Sequence, residues 1–379
     1  MLETLTFDPV DVLLPRGNRL FGGGVHGHAQ MPPWASLFAG AIASRALADA
    51  DRISDITHRP DCADGILAEV LGPGFSLTGL GLTRESEALF LLPADLVVLR
   101  RDGTYCSRPI NPRGLDDAFP GVGVSGNLPL LTVLDDPSRE KPESGLWITV
   151  EGLARHLAGE VPQPKSLVPS GELWKTDPRL GIALDAGSRT AAESQLYTTD
   201  AVALCDGVQF LAGFDGMNVP REGLVRLGGD GRGARIAPVK DALANRLNDL
   251  GRPQPGWRGF RMILATPGIF PNGWLPPGVD PATRRLKVQG LTAELVAASV
   301  PRHEVISGWD MANHVPKPAR KVVPAGSVYW FRVCEGDTAA LTSLRQKGLW
   351  PLMAENQRDT ARRREGFNRV WFGTWKVAA

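Results

Sequence analysis

The chain has 379 residues, 43% of them hydrophobic and 22% charged, and its 42 basic and 41 acidic residues leave a formal net charge of +1. That length supports two domains, with about 75% of the unfolded surface buried at roughly 300 residues, and the composition excludes wholesale disorder. The near-zero charge excludes a chain that gathers nucleic acid through a global positive field, so any RNA contact must rest on local patches or on a groove shared with other subunits.

The opening residues, Met1 to Asp8, carry an early acid and no apolar core of a secretory signal, and no run approaches the ~20 apolar residues of a membrane span. The expectation is a cytoplasmic chain. A strand is expected near Leu5 to Leu14, followed by a glycine-rich loop from Gly22 to His28. Pro32 and Pro33 then open a helix, where prolines cost no intrahelical bond. In it Trp34, Leu37, Phe38, Ala41 and Ile42 recur at i, i+3, i+4, i+7 and i+8, the spacing of one buried stripe. Leu89 to Leu99 reads as a strand despite Pro93. Trp147 to Thr149 is a strand that runs directly into a helix marked by Val150, Leu153, Ala154 and Leu157 and closed by Gly159.

The middle of the chain is rich in turns. Gly181 to Leu184 and Val202 to Leu211 are β candidates, the second with a hairpin turn at Asp206-Gly207. Val239, Ala242, Leu243, Leu247 and Leu250 mark a helix ended by Gly251. Phe260 to Ala265, Leu295 to Val300 and Val328 to Val333 are later strands. Short strands interleaved with few helices, without a repeated βαβ rhythm, predict an α+β fold. The polar stretch from Asp135 to Gly145 divides residues 1–140 from 141–379.

Four cysteines, Cys62, Cys106, Cys205 and Cys334, lie far apart with no Cys-x-x-Cys pair, so neither a zinc ribbon nor a disulfide framework is expected. Neither a Gly-x-Ser-x-Gly elbow nor a His-Glu-x-x-His pair appears, and no positive case for catalysis emerges. His26-Gly27-His28 is the most enzyme-like feature, but no third ligand lies near it along the chain, and no metal or cofactor is expected.

Ile306 to Phe331 carries the most chemistry. Two apolar β-type runs flank a loop with Trp309 at its entrance and Lys317, Arg320 and Lys321 near its end. Pro316, Pro318 and Pro324 are expected to stiffen it without a sheet ladder. Cations beside an aromatic face suit a single-stranded polynucleotide, which offers phosphates and stackable bases. A second candidate is the turn Gly228-Gly229-Asp230-Gly231-Arg232, where Arg232 lies within reach of a phosphate lying against bare backbone. Near the end, Gly366, Phe367, Val370 and Phe372 echo half of an RNA-recognition strand, and Arg358, Arg362, Arg363 and Arg364 form a basic run just before it.

These pieces occur in an order that resembles the third subunit of the type III-B CRISPR effector, the Cmr complex, within the RAMP superfamily. The resemblance runs nearly end to end. It comprises Asp11 and Arg16 before Pro32-Pro33, Gly72 to Ser76, Phe90 to Pro93, and Gly145 to Gly152. It continues through Arg179 to Asp185, Arg189-Thr190-Ala191, Leu196-Tyr197 and the Leu227 to Arg232 turn, where the family usually has Glu at Asp230. Thr266 to Phe270, Gly273-Trp274 and Gly308 to Val328 complete it. Asn368 stands where a RAMP glycine loop usually has Gly, a position that a left-handed Asn tolerates. The resemblance implies two ferredoxin-like (RRM-like, βαββαβ) modules packed together, with long loop and hairpin insertions. It further implies a non-catalytic subunit that binds the crRNA 5′ handle in antiviral defence, beside the large polymerase-like signature subunit and the backbone RAMP subunits.

On that reading the phosphate contacts fall to Lys317, Arg320, Lys321 and Arg232, with Gly229 and Gly231 as bare backbone and Trp309 as a stacking face. Arg16, Arg45, Arg179 and Arg189 are further candidates. The alternatives are a RAMP endoribonuclease that processes CRISPR precursor RNA through His26 or His28, and a scaffold that touches only protein.

Overall fold

A computed structural model of the chain describes residues 2–17, 26–114, 128–137, 140–185, 187–188 and 190–377. Arg189 and the Gly22–Val25 part of the glycine-rich loop lie outside the described residues. The architecture is α+β, mostly strands with few helices.

Two sheets organise it. The strands of the first half are β1 (Leu2–Pro9), β2 (Ser76–Arg84), β3 (Glu87–Leu91), β4 (Leu146–Thr149), β5 (Leu167–Pro169), a long hairpin of β6 (Trp174–Leu184) and β7 (Ala191–Leu204), then β8 (Val208–Asp215), β9 (Gly223–Arg226) and β10 (Gly233–Pro238). All but the long hairpin join an eight-stranded sheet in the order β5-β4-β3-β2-β8-β1-β10-β9. The second sheet orders β12-β13-β14-β11-β15, from β11 (Gly259–Leu264), β12 (Arg285–Val288), β13 (Leu291–Ser299), β14 (Val328–Glu335) and β15 (Val370–Thr374).

Each sheet contains four strands in which the third in sequence separates the first from the second, and the fourth flanks the first on its other side. In the first sheet these are β2-β8-β1-β10; in the second they are β13-β14-β11-β15. All neighbours are antiparallel, so β1 runs parallel to β2, and β11 to β13, across an intervening strand. Helix α1 (Ala35–Asp49) links β1 to β2, whereas β9 and a glycine turn replace a helix between β8 and β10. The second sheet has the converse arrangement. No helix joins β11 to β13, and short helices at Thr342–Lys347 and Thr360–Arg364 lie between β14 and β15.

The helix expected after Pro33 forms, and its Phe38, Ala41 and Ile42 are buried. Phe38 meets Phe7 of β1 edge-on at 5.1 Å between ring centroids and Phe210 of β8 at 5.3 Å, which fixes α1 on the first sheet. Strand β4 runs directly into a helix, Val150–Leu157, whose first turn is capped when Thr149 Oγ1 accepts the Gly152 N–H at 3.2 Å. That helix packs into a cluster shared by both sheets, with Phe90, Ile148, Leu153, Ile263, Trp330 and Trp371. The alternation of β11 makes this possible. Phe260, Met262 and Leu264 face one core, Ile263 faces the shared cluster, and every residue of the strand is buried.

Two expected strands take a different form. Leu89 to Leu99 is two strands, Glu87–Leu91 and Leu96–Arg101, broken around Pro93. Asp206-Gly207 does turn the chain, with Gly207 at φ 74°, yet β7 and β8 on either side belong to different sheets and do not pair as a hairpin. Strands β4, β5, β8, β9 and β10 all join β1, so the first sheet draws on residues from both sides of position 140. The polar stretch there is fastened down. The Asp136 side chain is buried and holds Arg101 at 2.7 Å and Arg108 at 2.8 Å, both on the hairpin Leu96–Arg101/Thr104–Pro109.

Candidate nucleic-acid interface

Residues far apart in sequence converge beside β1. The turn between β9 and β10 places Gly228, Asp230 and Gly231 in left-handed backbone, with φ of 88°, 59° and 66°. A Cβ at Gly231 would meet nothing within 4 Å, so the backbone conformation alone requires glycine there. Gly229 has ordinary backbone, and the nearest atoms a Cβ there would meet are Leu14 O at 3.5 Å, the Arg16 Nε at 3.8 Å and the Leu14 Cβ at 3.9 Å. The backbone is open around Gly231, whereas the Gly229 N–H reaches the Leu14 carbonyl at 3.4 Å and the Gly229 carbonyl accepts the Arg232 N–H at 3.3 Å.

Three guanidinium groups surround it, each beside an acid. Arg232 pairs with Asp11. Arg16 Nη2 lies 3.6 Å from Asp230 Oδ1. Arg179, projecting from β6, holds Asp177 at 2.8 Å. The Val12 N–H, bonded to Asp11 Oδ1 at 2.7 Å, together with the charges of Arg232 and Arg179, keeps the Asp11 carboxyl below the usual carboxylate range. Solvent-exposed pairs of this kind contribute little to stability. An incoming phosphate can therefore exchange with the acids at small cost, and guanidinium geometry suits it. Arg45 is committed elsewhere: it bonds Asp49 at 2.7 Å and the Leu224 carbonyl at 2.8 Å, tying α1 to β9.

The segment from Glu304 to Val322 is a protruding double ribbon. Glu304–Ile306 pairs with Arg320–Val322, and Trp309–Asp310 pairs with Val315–Pro316. This corrects the expectation of a proline-stiffened loop without a ladder, since Pro316 itself sits opposite Trp309, where an edge position needs no donor. Asp310 folds the tip by accepting the backbone N–H groups of Ala312 at 3.0 Å and Asn313 at 3.1 Å. Trp309 is 52% exposed, with Met311 and Val315 also exposed around it.

The three cations of this ribbon divide. Lys317 Nζ donates to Glu365 Oε1 at 2.5 Å, and Arg362 donates to the other oxygen at 2.9 Å, so the Lys317 charge is spent anchoring the ribbon to the body. Arg320 lies 3.9 Å from Asp359, and Lys321 is exposed.

The basic run before the C-terminal strand is likewise absorbed. Arg362 is buried, Arg364 pairs with Asp64, and Arg363 and Arg358 donate to carbonyls of Pro73 and Met353. Phe367, Val370 and Phe372 are buried, so the partial RNA-recognition strand supplies core rather than a stacking platform. Asn368 does adopt the left-handed backbone expected of it, at φ 67°.

Sequence reasoning missed the length of the β6/β7 hairpin. Its Leu180, Ile182 and Leu184 lie at period 2 on one face and are exposed. The alternation was visible in the sequence, but only Gly181–Leu184 read as a strand.

A family model described as CRISPR-associated protein (Cas_Cmr3) matches residues 5–375. Among solved structures, the chain is similar to one in the cryo-EM structure of the Type III-B Cmr-beta bound to cognate target RNA and AMPPnP, state 1. The identity is 14%, with 97% of this chain and 95% of that chain covered and a TM-score of 0.54. A chain of the Type III-B Cmr-beta bound to cognate target RNA matches at 14% identity, 97% and 96% coverage and a TM-score of 0.51. At this identity the likeness is one of fold. No curated protein matches the chain by sequence.

Proposed function

Because the chain belongs to the Cas_Cmr3 family of CRISPR-associated proteins, and so to the subunits of type III effectors, we propose that it is a non-catalytic subunit that binds the 5′ handle of crRNA. In this reading the complex is of type III-B and acts in the cytoplasm in antiviral defence. The neighbours are the large polymerase-like signature subunit and the backbone RAMP subunits. The two four-stranded arrangements are two ferredoxin-like modules, each keeping one of its two crossing helices.

The match over residues 5–375 carries the reading. The glycine turn, open at Gly231, supports a phosphate contact, with Arg16, Arg179 and Arg232 around it. Trp309 is the stacking face of the ribbon, and Arg320 and Lys321 are its phosphate cations; Lys317 holds the ribbon in place. A near-neutral chain fits a groove completed by other subunits.

The test is to purify the complex assembled around the untagged chain, sequence its RNA and map photo-crosslinks. The expected result is a small RNA with a constant 5′ end, crosslinked through peptides containing Gly229–Arg232 or Trp309–Lys321. Crosslinks from that end only to other subunits would overturn the assignment. Site-specific cleavage of repeat RNA by the isolated chain would overturn its non-catalytic character.

A further inference from the structure

The two histidines that the proposed RNA contacts leave unused acquire a third partner in the fold. His26–Gly27 is a short strand that runs parallel to β7, with Thr198 opposite His26 and Thr199 opposite Gly27. Extended backbone sends residues two apart to the same face. His26 and His28 therefore share a face with Thr198 and Asp200, more than 170 residues away in sequence.

His26 Nε2 lies 3.0 Å from Asp200 Oδ2, and His28 Nδ1 lies 3.4 Å from the same oxygen. The three atoms fall within 4.8 Å of one another, the group of this kind found among the described residues. The rings meet edge-on at 4.4 Å between centroids. Ligand atoms about 2.0–2.1 Å from a tetrahedral zinc ion are roughly 3.3 Å apart, and the two N–O separations bracket that value. The remaining ring nitrogen, His26 Nδ1, is 2.6 Å from Thr198 Oγ1, the outer-shell contact that fixes the orientation of a ligating imidazole.

We propose that His26, His28 and Asp200 form a binding site for a divalent transition-metal ion of the zinc class. Two imidazoles and one carboxylate, without thiolate, suit such an ion better than calcium or magnesium, which favour all-oxygen shells. Three protein ligands leave a coordination position open to water or to an anionic oxygen. The ion fastens His26–His28, beside the Ala29 that bridges Arg16, to the middle of the β6/β7 ladder, where Asp200 lies opposite Pro178. The assignment is independent of the RNA reading.

The experiment uses the untagged full chain, stripped with chelator and dialysed, and titrated with Co²⁺ while visible d–d absorption is followed. One equivalent of cobalt should bind, be displaced by one equivalent of Zn²⁺, and raise the unfolding temperature. His28→Ala, at the more exposed ligand, should weaken binding by at least about tenfold, and Thr198→Val by about 10–100-fold. His314→Ala, on the distant ribbon tip, should bind as the parent does. Circular dichroism of each variant separates lost ligation from lost folding. Absence of saturable one-to-one binding, or parent-like affinity in His28→Ala and in an Asp200→Asn, His26→Ala double variant, would overturn the proposal.

Discussion

Arg261 Nη1 lies 2.6 Å from Asp95 Oδ2, where no water reaches, and His156 Nε2 lies 2.7 Å from the other carboxylate oxygen. Arg261 also donates to the carbonyls of His156 and Thr374. This trio pins the second sheet, the helix Val150–Leu157 and the loop after β3 to one another. Asp95→Asn leaves the Arg261 charge uncompensated in the interior and should destabilise the protein by about 3–5 kcal/mol, read from urea unfolding at neutral pH.

The same carboxylate sets an acid limit. Burial alone would raise the Asp95 pKa, but the charges of His156 and Arg261 outweigh it and hold the group well below the usual range. A folded pKa below the unfolded value of about 3.9 contributes stability above that pH, and the contribution disappears as pH falls toward the folded value. Between pH 6 and pH 3 the parent should therefore lose more stability than Asp95→Asn. Parallel losses in the two unfolding midpoints would contradict this account.

The ribbon cations should separate by phenotype. Lys317→Ala removes a charged hydrogen bond to the buried Glu365 and should cost about 1.5–3 kcal/mol in the isolated chain. Arg320→Ala with Lys321→Ala should leave unfolding unchanged, yet reduce RNA retention in the complex and flatten its salt dependence. A salt titration of filter binding beside a melting curve distinguishes the two classes.

The glycine turn offers a similar contrast. Gly231→Ala places a side chain at φ 66° and should cost roughly 1–2 kcal/mol from backbone strain alone. Gly229→Ala meets ordinary contacts and should melt as the parent does. If a phosphate rests on this backbone, the added methyl should still weaken RNA binding. Unchanged binding by a stable Gly229→Ala protein would remove the turn from the interface.

Asn368 combines a left-handed backbone with an amide that accepts the Ile269 N–H at 2.6 Å and donates to the Ile269 carbonyl at 3.4 Å. Gly at this position relaxes the backbone but leaves buried polar groups without partners. Asn368→Gly should therefore destabilise by about 1–3 kcal/mol, measured by denaturant unfolding.

Much of the framework was legible because burial is written locally, as short apolar runs in the strands and as i, i+3, i+4 spacing in the helix. Phe260 to Ala265 and Val328 to Val333 were readable for that reason, as was the helix after Pro33. Pairings across long stretches were not. The carboxylate that claims Lys317 lies 48 residues further on, and the one that meets His26 lies 174 residues away. The cations at the glycine turn could be named from sequence, but not the acids beside them. The ribbon was hidden because its prolines speak locally against pairing, whereas at its edge they lose no bond.

The alternating inward faces of β11 and β14 carry a practical consequence for anyone cutting this polypeptide. Phe260 and Phe331 serve one core while Ile263 and Trp330 serve the other, whose opposite wall comes from Phe90, Ile148, Leu153 and Leu211. A fragment ending near residue 250 would present that wall to water as a continuous greasy surface. Expressed halves are thus destined to clump or to seek each other out, and a single inserted residue within Gly259–Leu264 would turn the strand inside out.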